Sequence, residues 1–297
     1  MKITLTGSLG HIGNPLAGDL IEKGHEVTVV SSNPEKQRDI EAIGAVAAIG
    51  SLQDVDFITE SFTRADLVYC MVPPANYFDH NLDLLAYYDG IGQNYAHAIV
   101  KSGVRRVINL STFGGDLEKG NGILLGAHNV EEILNKLPSE VSITHIRPTS
   151  FYYNLFGYAE MIKTLGAIFT NYGSESKIPW VSPIDIAAAI SDEIETPFVG
   201  RKVRYVASEE LTGEETAKIL GEAIGNPDLK WIIASDEQVQ SGLEKIGMNP
   251  KIAAGMVEMY GALQTGLLAE DYYRNKPAVL GKVKLKDFAK EFAAALK

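Results

Sequence analysis

Lys2-Ile3-Thr4-Leu5-Thr6-Gly7-Ser8-Leu9-Gly10-His11-Ile12-Gly13 is the stretch on which the fold turns. An apolar strand pattern runs from Lys2 to Thr6. Glycines follow in G-x-x-G-x-x-G spacing. A helical pattern then runs from Asn14 to Lys23, and Gly24 stops it. Each glycine has a mechanical task in such a turn. Gly7 makes the tight exit from the strand, Gly10 lets the backbone approach a pyrophosphate, and Gly13 lets the helix pack close to the sheet. The helix N-terminus then offers free N–H groups and partial positive charge to phosphates. With a strand before it and a helix after it, the stretch predicts a dinucleotide site.

The pattern repeats outward. Strands are predicted at Glu26–Val30, Ala45–Ile49, Leu67–Val72, Arg106–Leu110 and Val141–Ile146. Helices fall between them at 34–43, 53–63, in a long stretch ending near Lys101, and at 128–136. Asn33 is placed to cap the first of these, with Pro34 at its opening position. Nearly all-apolar strands alternating with helices indicate an α/β fold, a doubly wound parallel sheet covered on both faces. The last third changes character. Residues 151–180 cluster aromatics without a clean strand pattern. A helix is expected from Ser182 to Ile194, and Val203–Ala207 reads as a further strand. Thr212 and Glu215 have capping-box spacing ahead of a helix to Ile224. Leu229–Ala234 is a short strand, and the remainder reads as mostly helical. The expected division is a nucleotide domain at 1–150, with 181–207 returning to it. Residues 151–180 and 208–297 would form a small, mostly helical substrate lobe.

The cofactor is read from the tip of the second strand. An acid there grips a ribose 2′-hydroxyl. This chain has Val29-Val30-Ser31-Ser32-Asn33 instead, with Lys36 and Arg38 nearby. Hydroxyls, an amide and a cation suit a 2′-phosphate. NADP(H) is therefore preferred, with NAD(H) left open.

Composition bounds the partners. The 297 residues carry a formal net charge of −11. Such a field does not attract nucleic acid or an anionic membrane, and any anion must be held by local geometry. The single cysteine, Cys70, lies in an apolar run and rules out an internal disulfide. No signal-peptide pattern and no apolar run of spanning length is seen, so a cytoplasmic protein is expected. The other histidines (His25, His80, His97 and His145) show no ligand spacing, and no metal is expected.

Together these motifs resemble the NmrA-like group of atypical short-chain dehydrogenases/reductases. The resemblance is carried by Gly7, Gly10 and Gly13; by Val29 to Lys36; by Asn94 ahead of Gly103-Val104-Arg105-Arg106-Val107; and by Ser111-Thr112. It continues through Arg147-Pro148-Thr149-Ser150-Phe151, Asn154 and Asp185-Ile186-Ala187. It covers nearly the whole chain and implies an NADP-binding Rossmann domain with a small C-terminal lobe. It further implies pyrophosphate contacts from Gly10, His11 and Ile12. Met71, Val72 and Pro73 would lie under the adenine-side ribose and phosphates. Ser111, Thr112 and Phe113 would sit beside the nicotinamide, and Pro148, Ser150 and Phe151 near its carboxamide. Ser51 and Leu52 stand where the group often has an acid near the adenine.

Two functions are implied. One is reduction of a small carbonyl or quinone-like acceptor by hydride transfer. The other is non-catalytic sensing of NADP(H) through a protein partner. An epimerase or dehydratase is a more distant reading. The wider superfamily uses Tyr-x-x-x-Lys after strand five, where the lysine lowers the tyrosine pKa for proton transfer. Here that place reads Gly126-Ala127-His128-Asn129-Val130-Glu131-Glu132. The spacing occurs at Tyr272 and Lys276, far beyond strand five, and is read as accidental. His128, as a proton donor, and Ser111, as a hydrogen-bond partner for a carbonyl, are the candidate catalytic residues, and both are also candidates to touch the cofactor. Tyr152, Tyr153 and Phe156 are the expected wall of a pocket for a small flat acceptor. Nothing in the sequence separates a monomer from a homodimer.

Overall fold

The computed structural model describes residues 1–173 and 175–296. Seven strands form one parallel sheet in the order β10-β6-β5-β4-β1-β2-β3. They are β1 (Lys2–Leu5), β2 (Glu26–Ser31), β3 (Val46–Ile49), β4 (Leu67–Cys70), β5 (Arg106–Leu110), β6 (Ser142–Pro148) and β10 (Arg201–Val206). The order reverses between β1 and β4. A crevice for ligands opens at the carboxyl ends of the strands at such a point.

Helices cover both faces. On one lie α1 (Gly13–Glu22) and α7 (Pro183–Glu195), packed against each other. On the other lie α3 (Val55–Phe62), α4 (Leu84–Ser102) and α5 (Leu125–Asn135), each against the next. The short α2 (Gln37–Ala42) flanks β3. Strand alternation feeds both layers. Leu67 and Tyr69 enter the core under α1 and α7, while Val68 and Cys70 enter the core under α3 and α4.

A third core lies beyond β6. It joins Tyr152, Trp180, Tyr205, Leu220, Tyr272, Phe288 and Phe292. Its helices are α6 (Ala159–Leu165), α8 (Gly213–Ile224), α10 (Pro250–Gln264), α11 (Glu270–Arg274) and α12 (Leu285–Leu296), while α9 (Asp236–Lys245) packs on α10 outside it. Two small sheets complete it. One is β7 (Ser150–Phe151), β9 (Ile178–Val181) and β11 (Glu209–Leu211); the other is β8 (Ala167–Thr170) with β12 (Lys230–Ile233).

Those small sheets correct the sequence reading, which finds no clean strand between Phe151 and Trp180. β8, β7 and β9 are two to four residues long, too short for a period-2 pattern to register. Their pairing is also remote: Ala167 sits opposite Lys230, and Trp180 opposite Glu209. Two further boundaries differ. The predicted helix from Pro34 opens as a 3-10 turn, Pro34–Lys36, before α2. β4 stops at Cys70, because the Met71 N–H donates to Thr6 Oγ1 (3.0 Å) and its carbonyl accepts from the Tyr95 hydroxyl (2.6 Å). The Thr212–Glu215 capping box forms as its spacing requires. No helix among the described residues is long and apolar enough to cross a membrane.

Candidate functional site

The turn after β1 lies at the point where the strand order reverses. Thr6 N–H donates to the Tyr69 carbonyl of β4, and Ser8 N–H to the Val30 carbonyl of β2 (2.9 Å). The turn is thus tied to both neighbouring strands. Gly7 takes φ +95°, and a Cβ there would overlap the Met71 side chain. A Cβ on Gly13 would overlap the Ser8 carbonyl oxygen, so the helix can start this close to the turn only with glycine. Gly10 is different. The nearest atom to a Cβ there is the Gly7 carbonyl oxygen at 3.8 Å, so the protein itself leaves that space open. Among the described residues, the N–H groups of Gly10, His11, Ile12 and Gly13 donate to no protein acceptor. Orphan donors at a helix N-terminus, beside a backbone kept bare, make a cradle that fits a pyrophosphate.

The tip of β2 is more occupied than its composition suggests. Ser31 is buried, and its Oγ accepts from the Asn33 N–H at 3.2 Å. Asn33 Oδ1 accepts from the Glu35 N–H at 2.9 Å, so the predicted cap is made. Lys36 pairs with Asp39 at 2.9 Å on the surface. Ser32 is exposed. The hydroxyls and amide stand where the sequence places them, with the lysine turned to Asp39. At the tip of β3, Ser51 Oγ accepts from the Gln53 N–H, and the Leu52 carbonyl accepts from Asn94 Nδ2 (3.1 Å). Beyond β4 the chain runs through Met71, Val72 and Pro73, and the Tyr87 hydroxyl donates to the Pro73 carbonyl.

Across the reversal, Ser111 and Thr112 leave β5. Ser111 Oγ is buried and has no hydrogen-bond partner among the described residues. Phe113 N–H donates to the Pro148 carbonyl at 3.0 Å, which joins the loop after β5 to the end of β6. His128 Nδ1 donates to the Gly115 carbonyl at 2.9 Å. That bond fixes the imidazole in a polar cleft of about 450 Å³ on the flank of the sheet, with Asp116, Glu131, His145, Arg147 and Val203. Ser150 and Phe151 pair with Trp180 and Val181 as β7 and begin the turn into the aromatic segment.

The expected wall of Tyr152, Tyr153 and Phe156 divides. Tyr152 is 0% exposed, and its ring stacks on Trp180 and Phe288. Its hydroxyl donates to Glu209 Oε1 at 3.0 Å, and burial pushes the phenol far above its usual range. It is a core residue and forms no part of an open wall. The alternation within a 3-10 segment turns Tyr153 outward instead. Tyr153 is 40% exposed and stands edge-on to Phe156, which packs on Phe288 and Phe292 of α12. The far side of Tyr153 meets His11, with ring centroids 3.9 Å apart and planes tilted by 42°. The glycine turn therefore touches the aromatic segment directly, which spacing alone does not reveal.

Sequence reasoning also passes over a buried ionic cluster. Arg147 on β6 forks onto Glu131 of α5, at 2.9 Å from Nε and 2.7 Å from Nη2. Its Nη1 reaches the Tyr205 hydroxyl and Asp271, with Asp116 at 3.7 Å. Burial raises the Asp116 carboxyl, against the opposing pull of Arg147. Among the described residues, no group of three His, Cys, Asp or Glu side chains is set to hold a metal.

Residues 1–266 match the NmrA-like family. The chain belongs to the NmrA-like family. An NAD(P)H azoreductase of Xenophilus azovorans is 24% identical over 298 residues, covering 99% of this chain and 98% of that one. The NADPH-dependent quinone oxidoreductase of Escherichia coli, solved with NADPH, superposes with a TM-score of 0.80 at 17% identity, over 98% of this chain and 99% of that one. The triphenylmethane reductase of Citrobacter sp., solved with NADP(H), gives a TM-score of 0.77 at 19% identity, over 98% of this chain and 99% of that one. These likenesses extend the NmrA-like fold through the third core as well as the seven-stranded sheet.

Proposed function

We propose that this chain is an NADP(H)-dependent oxidoreductase that passes hydride to a small, flat acceptor of the quinone, azo or carbonyl class. The observation that carries the reading is the cradle. Gly10 to Gly13 hold unused N–H groups beside a space that a side chain would fill, at the reversal point of a parallel sheet. The absence of an acid at the tip of β2, with Ser31, Ser32 and Asn33 in its place, supports NADP(H) over NAD(H). When bound, the reduced nicotinamide supplies the hydride. Ser111, with its unpartnered buried hydroxyl, is proposed to bond the carboxamide or the acceptor oxygen. Met71 to Pro73 floor the site, and Tyr153 with Phe156 walls the acceptor side. The flank position of His128 suits a supporting role for the loop at Gly115.

The same reading assigns residues 1–150 and 181–207 to nucleotide binding, and 151–180 with 208–297 to acceptor binding, in a cytoplasmic protein. The azoreductase relative and the two reductase structures solved with NADPH or NADP(H) support it. A second reading rests on one observation. No Tyr-x-x-x-Lys pair stands on α5, which suits a sensor that binds NADP(H) and signals to a protein partner. Fluorescence of NADPH separates the two. The proposed outcome is a shifted emission on binding, lost on adding a panel of quinones and azo dyes. Binding without oxidation across that panel would favour the sensor.

A further inference from the structure

We propose that His11 gives the proton that completes reduction of the acceptor; this rests on the reductase reading. Reducing a quinone, carbonyl or azo group needs a proton for each hydride, and the usual tyrosine is missing from α5. Of the other candidates, Tyr152, Tyr272 and His128 are committed elsewhere, while Tyr153 keeps an exposed hydroxyl on the same wall. The Tyr152 hydroxyl is buried and donates to Glu209. Tyr272, which is buried, and Lys276, which is exposed, both converge on Glu210 Oε1, at 2.8 and 2.7 Å. His128 gives its Nδ1 proton to the Gly115 carbonyl and lines the flank cleft. Ser111 Oγ is hydrogen-bonded to no base among the described residues.

His11 meets each requirement. It is part of the cradle, between Gly10 and Ile12, so it stands where a dinucleotide's phosphates would rest. Its ring lies 3.9 Å from that of Tyr153, so it also reaches the aromatic wall. Among the described residues neither of its ring nitrogens has a hydrogen-bond partner. It is exposed and can exchange protons with water. Imidazole is the side chain that carries a proton near neutral pH and releases it readily. Hydride brings two electrons to the acceptor and forms its first new bond, C–H on a carbonyl, N–H on an azo group or O–H on a quinone. The N–H bond of the His11 imidazolium breaks, and that proton forms the O–H or second N–H bond. The neutral imidazole regains a proton from solvent. Tyr153 holds the ring toward the acceptor and is a positioning residue.

The test uses His11→Ala and His11→Asn in the intact chain, with NADPH and a simple naphthoquinone. The expected result is a fall in kcat of about a hundredfold in both. NADPH affinity, read by fluorescence, should stay within about twofold, because the turn's N–H groups are backbone. Added imidazole should restore part of the H11A rate and none of the NADPH affinity change. In the wild type loaded with NADP⁺, the His11 ring resonances should shift on adding the naphthoquinone. An undiminished kcat in H11A overturns the proposal and leaves the reductase reading standing. So does loss of NADPH affinity that accounts for the whole fall, or failure of both rescue and resonance shift. A wild type that binds NADPH but oxidises it with no acceptor of the panel overturns both the proposal and the reductase reading.

Discussion

Gly10 and Gly13 lie three residues apart in one turn, yet they are glycine for different reasons. A Cβ on Gly13 meets the backbone oxygen of Ser8, which cannot swing away. A Cβ on Gly10 meets nothing closer than 3.8 Å. Gly13→Ala should therefore destabilise the protein by about 1–3 kcal/mol through overpacking, read as a lower urea midpoint. Gly10→Ala should leave the midpoint unchanged and weaken NADPH at least tenfold, because only the ligand needs that space. Equal NADPH affinity in Gly10→Ala would sink the pyrophosphate role of the turn. Spacing identified both glycines but not this division, which depends on where the Ser8 carbonyl points. His145 carries a second residue-scale prediction. Its Nδ1 accepts from Asn109 Nδ2, and its Nε2 donates to Asn135 Oδ1, both at 3.1 Å. The ring is held neutral, and burial pushes it below the usual histidine range. Below about pH 6.5 the unfolded chain takes up a proton that the folded ring resists. This contribution to stability is complete above that pH and is lost as pH falls toward the lowered folded value. Thermal melts from pH 8 to pH 5 should show the decline. His145→Gln should flatten part of it, and an unchanged slope would count against the assignment.

At the scale of elements, α5 shows what a single sequence reveals and what it hides. Its existence and position after β5 are legible from periodicity, although it opens at Leu125, before the predicted His128. Its main anchor is not legible. Glu131 occupies a position that reads as an ordinary helical charge, and Arg147 lies in a strand 16 residues away. Only the fold brings their buried groups into a two-pronged pair. Removing one partner leaves the other charged and buried. Glu131→Ala should cost about 3–5 kcal/mol in urea unfolding. Glu131→Leu combined with Arg147→Met should recover most of that loss, since apolar groups of similar volume need no partner. If the double variant were no better than Glu131→Ala, Arg147 would be needed chiefly by Asp116 and Asp271 rather than by Glu131. The small strands β7, β8 and β9 were hidden for a related reason. Two to four residues carry too little pattern, and their stability comes from partners as distant as Lys230 and Glu209.

At the scale of the molecule, the proposed wall for an acceptor depends on the far end of the chain. Phe156 packs on Phe288 and Phe292, so α12 backs Tyr153 through Phe156. The strap that leads into α12 is fastened by Asp185, on α7, which packs on the main sheet. Its carboxylate accepts from the N–H groups of Lys282 and Val283 at 3.0 and 3.1 Å, and from the Ser208 hydroxyl at 2.6 Å. A Cβ on Gly281 would strike the same carboxylate, so the strap lies flat against it. Asp185 is legible in the sequence only as part of a family motif, because its partners lie 97 and 98 residues onward. Asp185→Ala orphans those donors, and the loss should be about 3 kcal/mol. The loss should also be local, since the cradle touches none of these groups. Limited proteolysis of Asp185→Ala should cut within 276–284 earlier than in the wild type. NADPH affinity should hold while kcat/KM for a quinone falls, because the wall loses its backing. A parallel fall in NADPH affinity would mean that the strap steadies the nucleotide crevice as well. The third core would then have to be treated as one cooperative unit with the sheet.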